Sequence, residues 1–168
     1  MNLKLRLYKI NADYLRFLRK IDYRISIKYN NRPFVGIVTM INGIKYVLPL
    51  TSRTTEERKK EGKNKRSAMV TTFIKDSSDV EIANILYNNM LPVKDGVYTA
   101  IKIEATVDTY ESNEIRYIRK HADTIIKKAQ RVYIDRTTKN NAFFNKVCCD
   151  FVKLESVYMD YNANTPHS

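Results

Sequence analysis

The chain has 168 residues, with 30 lysines and arginines against 18 aspartates and glutamates, so its net charge is +12. Its hydrophobic content of 43% is typical of a folded protein and excludes a chain that is disordered throughout. A folded protein with this basic excess is expected to bind a polyanion. The sequence has neither a run of about 18 apolar residues nor a basic helix with an unbroken apolar face, so we expect nucleic acid rather than a membrane.

The start of the chain predicts a strand followed by a helix. Leucines alternate with charged residues over residues 1–10, a pattern typical of a strand and unlike the continuous apolar core of a signal peptide. We therefore expect the protein to stay in the cytoplasm. Asn11 is a favourable N-cap residue, and apolar residues recur at helical spacing over residues 12–21.

A β-hairpin is predicted in the middle of the first half of the chain. The dipeptide Asn42-Gly43 readily supplies the two positive φ angles of a two-residue turn. Apolar residues dominate both flanks, so we expect strands over residues 34–41 and 44–50. In this arrangement Ile41 faces Ile44 across the turn.

That register gathers hydroxyl and guanidinium groups at the end of the hairpin. Counting outward from the turn sets Phe34 opposite Thr51 and Arg32 opposite Arg53. Facing Cβ atoms in such a pair lie roughly 5 Å apart and diagonal ones about 7 to 8 Å, so we expect Thr51, Ser52 and both arginines to cluster. Hydroxyl groups beside concentrated positive charge suit phosphate chemistry.

A basic segment, residues 53–66, follows the hairpin. Seven cations oppose three acids there, and Gly62 and Asn64 indicate a loop. Such a run is often only a solvated surface, and a Thr-Ser pair after a strand is often a turn or a helix cap, so the functional interpretation depends on their convergence. The cations expected to bind RNA are Arg53, Lys59, Lys60, Lys63, Lys65 and Arg66.

The rest of the chain predicts further strands and then helices. Strand patterns span residues 69–75, 80–93 and 97–103, although residues 80–93 also fit a helix. Helical stripes of apolar residues span 112–131 and 142–158. We predict an α+β fold, a strongly curved antiparallel sheet or open barrel with packed helices, two of them C-terminal. We expect one domain over residues 1–161 and a disordered tail over residues 162–168.

The predicted cluster could cleave RNA through attack by the neighbouring 2′-hydroxyl. That reaction needs in-line geometry, proton transfer and hydrogen-bond donors around a phosphorane. Arg32, Thr51 and Ser52 provide donors, but an arginine pKa above about 12 makes Arg32 a poor general base. Tyr29, on the entering loop, could orient a nucleotide or donate a proton. The general base is left open, and a lysine of the basic segment is one candidate.

Other chemistry has less support in the sequence. There is no Gly-rich phosphate loop and no metal-spaced His/Cys cluster, and the only cysteines, Cys148 and Cys149, are adjacent and rarely form a disulfide in that arrangement. We therefore expect no metal and no cofactor. The first C-terminal helix carries a cationic face, either solvated or a second RNA-binding surface, that includes Arg116, Arg119, Lys120, Lys127 and Lys128.

The run Gly-x-Lys-Tyr-x-x-Pro-Leu-Thr-Ser begins at Gly43 and ends at Ser52. In this run above all, the sequence resembles the ToxN/AbiQ family, the toxin components of type III toxin-antitoxin systems, and within it the CptN type. Weaker matches lie in residues 7–22, 34–38 and 118–125, and the resemblance covers the chain to about residue 130.

The resemblance implies an activity and a partner. It implies an endoribonuclease with a compact fold like the MazF/Kid toxins, which cuts RNA without a metal and leaves a 2′,3′-cyclic phosphate. It also implies inhibition by a small, repetitive, pseudoknotted antitoxin RNA. The toxin would excise this RNA from a precursor and hold it in a closed toxin–RNA hetero-oligomer, with cellular RNA as its other substrate.

The resemblance also implies roles for particular residues. Thr51 and Ser52 match the catalytic hydroxyl pair of the family, and Tyr29 matches a functional tyrosine if a one-residue gap is allowed. Arg32 stands where the family has a lysine, which keeps the charge but makes base catalysis there less favourable. A family lysine shortly after Ser52 is replaced by Thr54, so Arg53 or a later lysine would have to take its place.

Two other classes of protein fit the composition. A non-catalytic RNA-binding protein would use the same cations for backbone contacts and exposed tyrosines for stacking. A DNA-binding regulator would be equally basic, but the sequence has no helix-turn-helix signature.

Overall fold

Seven strands of the described residues form one antiparallel sheet, with the predicted hairpin at its centre. The computed structural model describes residues 4–26, 32–104 and 108–163. The strands are β1 (Arg6–Ile10), β2 (Phe34–Thr39), β3 (Lys45–Thr51), β4 (Thr71–Lys75), β5 (Glu81–Leu86), β6 (Leu91–Pro92) and β7 (Tyr98–Ala100). Their order in the sheet is β4-β5-β3-β2-β1-β7, and β6 also pairs with β3.

The described residues also contain six α-helices, four of which follow the last strand. They are α1 (Ala12–Ile21), α2 (Thr55–Lys60), α3 (Tyr110–Lys120), α4 (Ala122–Thr138), α5 (Ala142–Val147) and α6 (Phe151–Val157). The predicted α+β class with an antiparallel sheet and C-terminal helices is confirmed. Within the described residues the outer strands β4 and β7 do not pair with each other, so the sheet stays open.

Strand β3 is the most enclosed strand near the candidate site. It pairs with β2, β5 and β6, and six of its seven residues are buried. A strand covered on both faces reads as a continuous apolar run, which is the pattern of residues 46–50. The hydroxyl pair at its end therefore rests on a rigid support.

The hairpin turn differs from the sequence prediction. Met40 donates its amide to Ile44 O at 2.9 Å, and Gly43 donates its amide to Met40 O at 2.9 Å, which closes a three-residue loop. Gly43 has a φ of +84°, but Asn42 does not share that left-handed conformation. A type I turn followed by a left-handed glycine is the usual form of such a loop, so the predicted two-residue turn is wrong.

The register of the hairpin is also different from the predicted one. Thr39 pairs with Lys45 near the turn, but a bulge between Val35 and Val38 shifts the pairing, so that Phe34 lies opposite Pro49 rather than Thr51. The three-residue loop and the bulge each move the register along the strand. The displacement brings Arg32, rather than Phe34, to the end of β3.

A group of hydrogen bonds connects this turn with the last α-helix. The side-chain amide of Asn42 donates through Nδ2 to Tyr133 Oη at 2.8 Å and to Glu155 Oε1 at 3.0 Å. Tyr46 Oη donates to Glu155 Oε2 at 2.6 Å, and burial together with this hydrogen bond raises the pKa of Tyr46 above its ordinary value. We call Asn42, Tyr46, Tyr133 and Glu155 the turn tie. The tyrosine of the Gly-x-Lys-Tyr run is thus a structural residue.

Two predicted helices are each divided into two. The predicted helix over residues 112–131 is interrupted at His121, which ends α3 and precedes α4, and its second half continues to Thr138. The predicted helix over residues 142–158 is interrupted before Asp150, whose amide donates to the buried carboxylate of Asp22 at 2.7 Å. The start of α6 is therefore held both by this tertiary hydrogen bond and by the Asp150 side chain, which accepts from the Lys153 amide at 3.1 Å.

The basic segment is not simply a loop. Thr54 caps α2 with a reciprocal pair of hydrogen bonds, since its hydroxyl accepts from the Glu57 amide and Glu57 accepts from the Thr54 amide. The helix is short and has no buried residues. Periodicity therefore gave no signal for it, and the Thr-x-x-Glu spacing is the one local pattern that could have indicated its start.

Residues 164–168 of the predicted tail lie outside the described residues, whereas Tyr161 just before it is buried. Cys148 and Cys149 are both buried and free. Among the described helices we find none with the length and apolar character needed to cross a bilayer.

Candidate active site

The hydroxyl pair at the end of β3 points in two directions. Successive side chains of a strand alternate between its faces, and accordingly Thr51 is 1% exposed while Ser52 is open to solvent. Thr51 Oγ1 accepts a hydrogen bond from Arg32 Nη1 at 2.7 Å and another from the Arg53 amide at 3.2 Å. Both lone pairs of the Thr51 hydroxyl are therefore occupied inside the protein.

Arg32 is held at the surface end of this arrangement. Its side chain is half-buried, and the contact with Thr51 uses one of its five N–H donors. A planar guanidinium fixed in this way keeps other donors available for a phosphate. Tyr29, the other residue predicted before the hairpin, lies outside the described residues, so its role stays a prediction.

A cleft of about 430 Å³ opens beside Ser52. This volume lies in the range of about 300 to 1,000 Å³ that small-molecule sites occupy. The residues that line it come from the sheet and the segments next to it, Leu7, Lys9, Arg32, Pro33, Leu50, Ser52, Ile101 and Ile103, and from the start of α3, Tyr110, Glu111 and Glu114. The cleft thus lies between the ends of the central strands and helix α3.

A carboxylate fixes the chain just after the hydroxyl pair. Glu81 on β5 accepts hydrogen bonds from the Thr55 amide at 2.5 Å, from the Thr55 hydroxyl at 2.7 Å and from Asn84 Nδ2 at 3.0 Å. Asn84 lies directly opposite Thr51 in the sheet. Burial alone would raise the pKa of Glu81, but these hydrogen bonds outweigh burial and lower it. Glu81 therefore anchors the start of α2 to the strand beside the site.

The cations of the basic segment do not join the cleft. The Arg53 guanidinium, predicted to cluster with Thr51, instead forms an ion pair with Glu61 at 2.8 Å, and Lys63 lies 3.4 Å from the same carboxylate. Lys65 Nζ lies 4.8 Å from the centroid of the Phe73 ring. Lys59, Lys60 and Arg66 lie on the same segment, and within the described residues none of these six cations lines the cleft.

Helix α3 separates the cleft from a second basic region. At 100° per residue, positions 110, 111 and 114 project to one side of a helix and positions 116, 119 and 120 to the opposite side. Arg116 and Lys120 border a hollow of about 490 Å³ with Lys75 and His121. Arg119 and Lys120 border another of about 660 Å³ with Lys4. The predicted helix cations are thus gathered together, but behind the cleft.

Glu114 is a cleft residue that the sequence prediction missed. It is 2% exposed, and burial, reinforced by the neighbouring Glu111, raises its pKa to about 8. The signal was present, because Glu114 precedes Ile118 by four positions and so lies within the apolar stripe of the predicted helix. Lys9 and Tyr110 were likewise not predicted to line the site.

Comparison with known proteins shows which family this chain resembles. The family model for the toxin ToxN of type III toxin-antitoxin systems matches residues 6–159. Endoribonuclease ToxN of Bacillus thuringiensis subsp. kurstaki is 29% identical, over 92% of this chain and 82% of that protein. Endoribonuclease AbiQ of Lactococcus lactis subsp. lactis is 22% identical, over 93% of this chain and 88% of that protein.

Solved structures show the same fold. A structure from work on selective toxin inhibition by a non-coding RNA pseudoknot in type III systems has a TM-score of 0.82 and 26% identity, with 96% of this chain and 99% of that chain covered. A structure of AbiQ has a TM-score of 0.78 and 22% identity, with coverage of 94% and 98%. The family match extends well past residue 130, where the resemblance in the sequence ended. The chain belongs to the ToxN family of toxins from type III toxin-antitoxin systems.

Proposed function

We propose that this protein is an endoribonuclease toxin and that it cuts RNA in the cleft beside Ser52. The observation that carries the proposal is the Arg32–Thr51 hydrogen bond of 2.7 Å, which places a guanidinium beside an exposed serine at the mouth of a cleft. Membership of the ToxN family and the names of its relatives, endoribonucleases ToxN and AbiQ, support this activity.

The proposed reaction is attack of a ribose 2′-hydroxyl on the adjacent phosphate. The products are a 2′,3′-cyclic phosphate and a 5′-hydroxyl end. Negative charge builds on the non-bridging oxygens of the phosphorane, and fixed donors there stabilise the transition state without reorganising. Ser52 and the free N–H groups of Arg32 provide those donors, and Thr51 positions Arg32. The scheme requires no metal ion.

The proposal includes an RNA inhibitor. A structural relative that is 26% identical is described with selective toxin inhibition by a non-coding RNA pseudoknot. This chain has a net charge of +12 and basic hollows behind α3 in addition to the cleft, which suits a large RNA ligand. We propose a repetitive pseudoknot RNA that the toxin excises from its precursor and then holds in a closed hetero-oligomer.

The cytoplasm is the proposed location of the protein. Cellular RNA, the proposed substrate, is found there.

Incubation of the purified protein with RNA in EDTA tests the proposal. We expect new 2′,3′-cyclic phosphate ends from the wild-type protein and their loss in Ser52→Ala, with unchanged melting temperature and RNA binding. Ser78→Ala is the matched control, because Ser78 is exposed and lies outside the cleft. We expect it to cut like the wild type.

The possible outcomes separate the two classes of protein. Binding of RNA without any cleavage by the wild-type protein would identify a non-catalytic RNA-binding protein. Cleavage by Ser52→Ala at the wild-type rate would support the endoribonuclease activity but show that Ser52 has no part in it.

A further inference from the structure

Glu114 is a buried carboxyl group in the wall of the cleft. It is 2% exposed and lines the same cleft as Ser52 and Arg32. Within the part of the chain that the structure describes, no hydrogen bond or ion pair reaches its carboxyl oxygens. The neighbouring buried positions of α3 hold Ile115 and Ile118, so packing alone would be satisfied by an apolar residue. An unpartnered buried carboxyl group is costly for the fold, which points to a functional reason for it.

The surroundings of Glu114 keep it protonated near neutral pH. Burial, with the Glu111 carboxylate on the same helix, raises its pKa to about 8. Tyr110 on α3, Lys9 on β1 and Arg32 before β2 also face the cleft. On the other side of α3 lie both cations and acids: Lys75, Asp76, Asp79, Arg116, Lys120 and His121. At pH 7 the neutral acid is therefore the main form, and bound RNA favours it further, because a phosphate repels the carboxylate.

Cleavage of RNA requires a proton donor as well as a base. The 5′-oxygen leaves as an alkoxide unless it receives a proton, and a positioned acid with a pKa near the working pH is the most effective donor. We infer that Glu114 is the general acid that protonates the departing 5′-oxygen of the RNA. This inference rests on the proposed function of the cleft.

The proton transfers balance over one cycle. The 2′-oxygen forms a bond to phosphorus and its proton passes to water, while the bond between phosphorus and the 5′-oxygen breaks. The carboxyl proton of Glu114 moves to the 5′-oxygen, and the carboxylate then regains a proton from solvent. In-line attack places the leaving oxygen opposite the nucleophile, and α3 forms the cleft wall that faces the strand ends carrying Ser52 and Arg32.

A substrate that needs no acid tests this role directly. Glu114→Gln keeps the size and hydrogen-bond donor of the side chain but removes the transferable proton. We expect it to cut ordinary RNA about 10²- to 10⁴-fold more slowly than the wild type. RNA with sulfur in place of the scissile 5′-oxygen has a thiolate leaving group that departs without protonation. We expect Glu114→Gln to cut that linkage at nearly the wild-type rate.

Two results would overturn the role of Glu114 as the general acid. Equal losses on both substrates would make Glu114 a positioning or folding residue, and wild-type rates on both would remove it from the reaction. If the wild-type protein cuts neither substrate, the proposed function fails instead. Normal cleavage of the sulfur-substituted linkage also shows that the variant is folded.

A neighbouring variant gives an independent readout. Glu111→Gln removes the like charge beside Glu114 and so lowers the pKa of that group. Because a general acid is lost on deprotonation, we expect the alkaline limb of the wild-type pH–rate profile near pH 8. It should move to lower pH in Glu111→Gln and disappear in Glu114→Gln. An alkaline limb that stays in place in both variants contradicts the assignment.

Discussion

Thr51 and Ser52 are neighbours in sequence with different tasks. Thr51 is buried, and its hydroxyl accepts hydrogen bonds from the Arg32 guanidinium and the Arg53 amide. Ser52, by contrast, lines the cleft. Only Ser52 is therefore free to contact a substrate. We therefore propose that Ser52 contacts RNA, whereas Thr51 orients the Arg32 cation. The sequence alone did not make this distinction.

Substitution of Thr51 tests its positioning role. Thr51→Val replaces the hydroxyl with a methyl of similar shape and leaves the Arg32 guanidinium without its acceptor. We expect a loss of about 1 to 3 kcal/mol in the free energy of unfolding, the usual cost of removing one partner of a buried hydrogen bond. We also expect slower RNA cleavage, and both are measured by urea denaturation and single-turnover kinetics.

Thr51→Ser is the matched control, since it retains the hydroxyl. We expect it to cleave RNA close to the wild-type rate. If Thr51→Val also cleaves at that rate, Arg32 is held by other groups and Thr51 has no positioning role.

At the scale of elements, Glu81 on β5 holds α2 in place by accepting hydrogen bonds from Thr55, the first residue of that helix. We expect Glu81→Gln to lower the free energy of unfolding by about 1 to 3 kcal/mol at pH 7, because hydrogen bonds to a charged acceptor are stronger than those to an amide. The pKa of Glu81 is lowered in the folded state, so its stabilisation is present above the ordinary carboxyl pKa and is lost as pH falls through the folded value. The difference between the two proteins should therefore shrink on acidification, as measured by urea midpoints at pH 7 and pH 3.

Glu56→Gln provides the comparison for this measurement. Glu56 lies at an exposed position of the same helix, 3.8 Å from Lys60. Exposed ion pairs contribute roughly 0 to 1 kcal/mol, so we expect a small effect. A pH-independent effect of Glu81→Gln would show that the carboxylate charge is not what holds α2.

The sequence predicted elements well wherever a periodic pattern coincided with burial. The helix α1 was found from the spacing of its buried apolar residues, and the strands of the hairpin from apolar runs that are mostly buried. The loop length and the bulge in β2 were missed, since they depend on packing across the sheet rather than on a local dipeptide. The start of α6 was missed for the same reason, because it follows from the contact of Asp150 with Asp22.

At the scale of the whole molecule, α3 divides an acid-bearing cleft from a basic surface. Arg119 and Lys120 are exposed on the side away from Glu114. If RNA contacts this surface, Arg119→Ala with Lys120→Ala removes two phosphate contacts. The salt dependence of binding, log K against log salt, should then become shallower by about 1.4 to 1.8, with weaker binding at every salt concentration.

The chemical step should be unaffected by that double variant. We expect unchanged cleavage of a short RNA at saturation, and binding is measured by titration between low and moderate salt. Lys146→Ala with Lys153→Ala is the matched control, since it removes the same charge from exposed positions of α5 and α6. Equal changes in both double variants would mean that RNA senses the net charge and not this surface.

The fold class could be predicted from the sequence, but the residues of the candidate site could be predicted only in part. The Asn42-Gly43 dipeptide and its apolar flanks led to the hairpin and to Ser52 after it. Arg32 does lie beside Thr51, as predicted, although the predicted register was wrong. The second wall of the cleft was not predicted. Tyr110 and Glu114 come from an element about 60 residues later in the chain, and sequence gives no measure of such a distance in space.

The turn tie also has a consequence for how the protein is made. Asn42 and Glu155 are 113 residues apart in sequence. At a synthesis rate of about 5 to 20 residues per second, roughly 6 to 23 s separate the appearance of the two residues on the ribosome. During that interval the strand carrying the hydroxyl pair lacks the contact that holds its turn, so the nascent chain acquires this support only when its last helix has been synthesised.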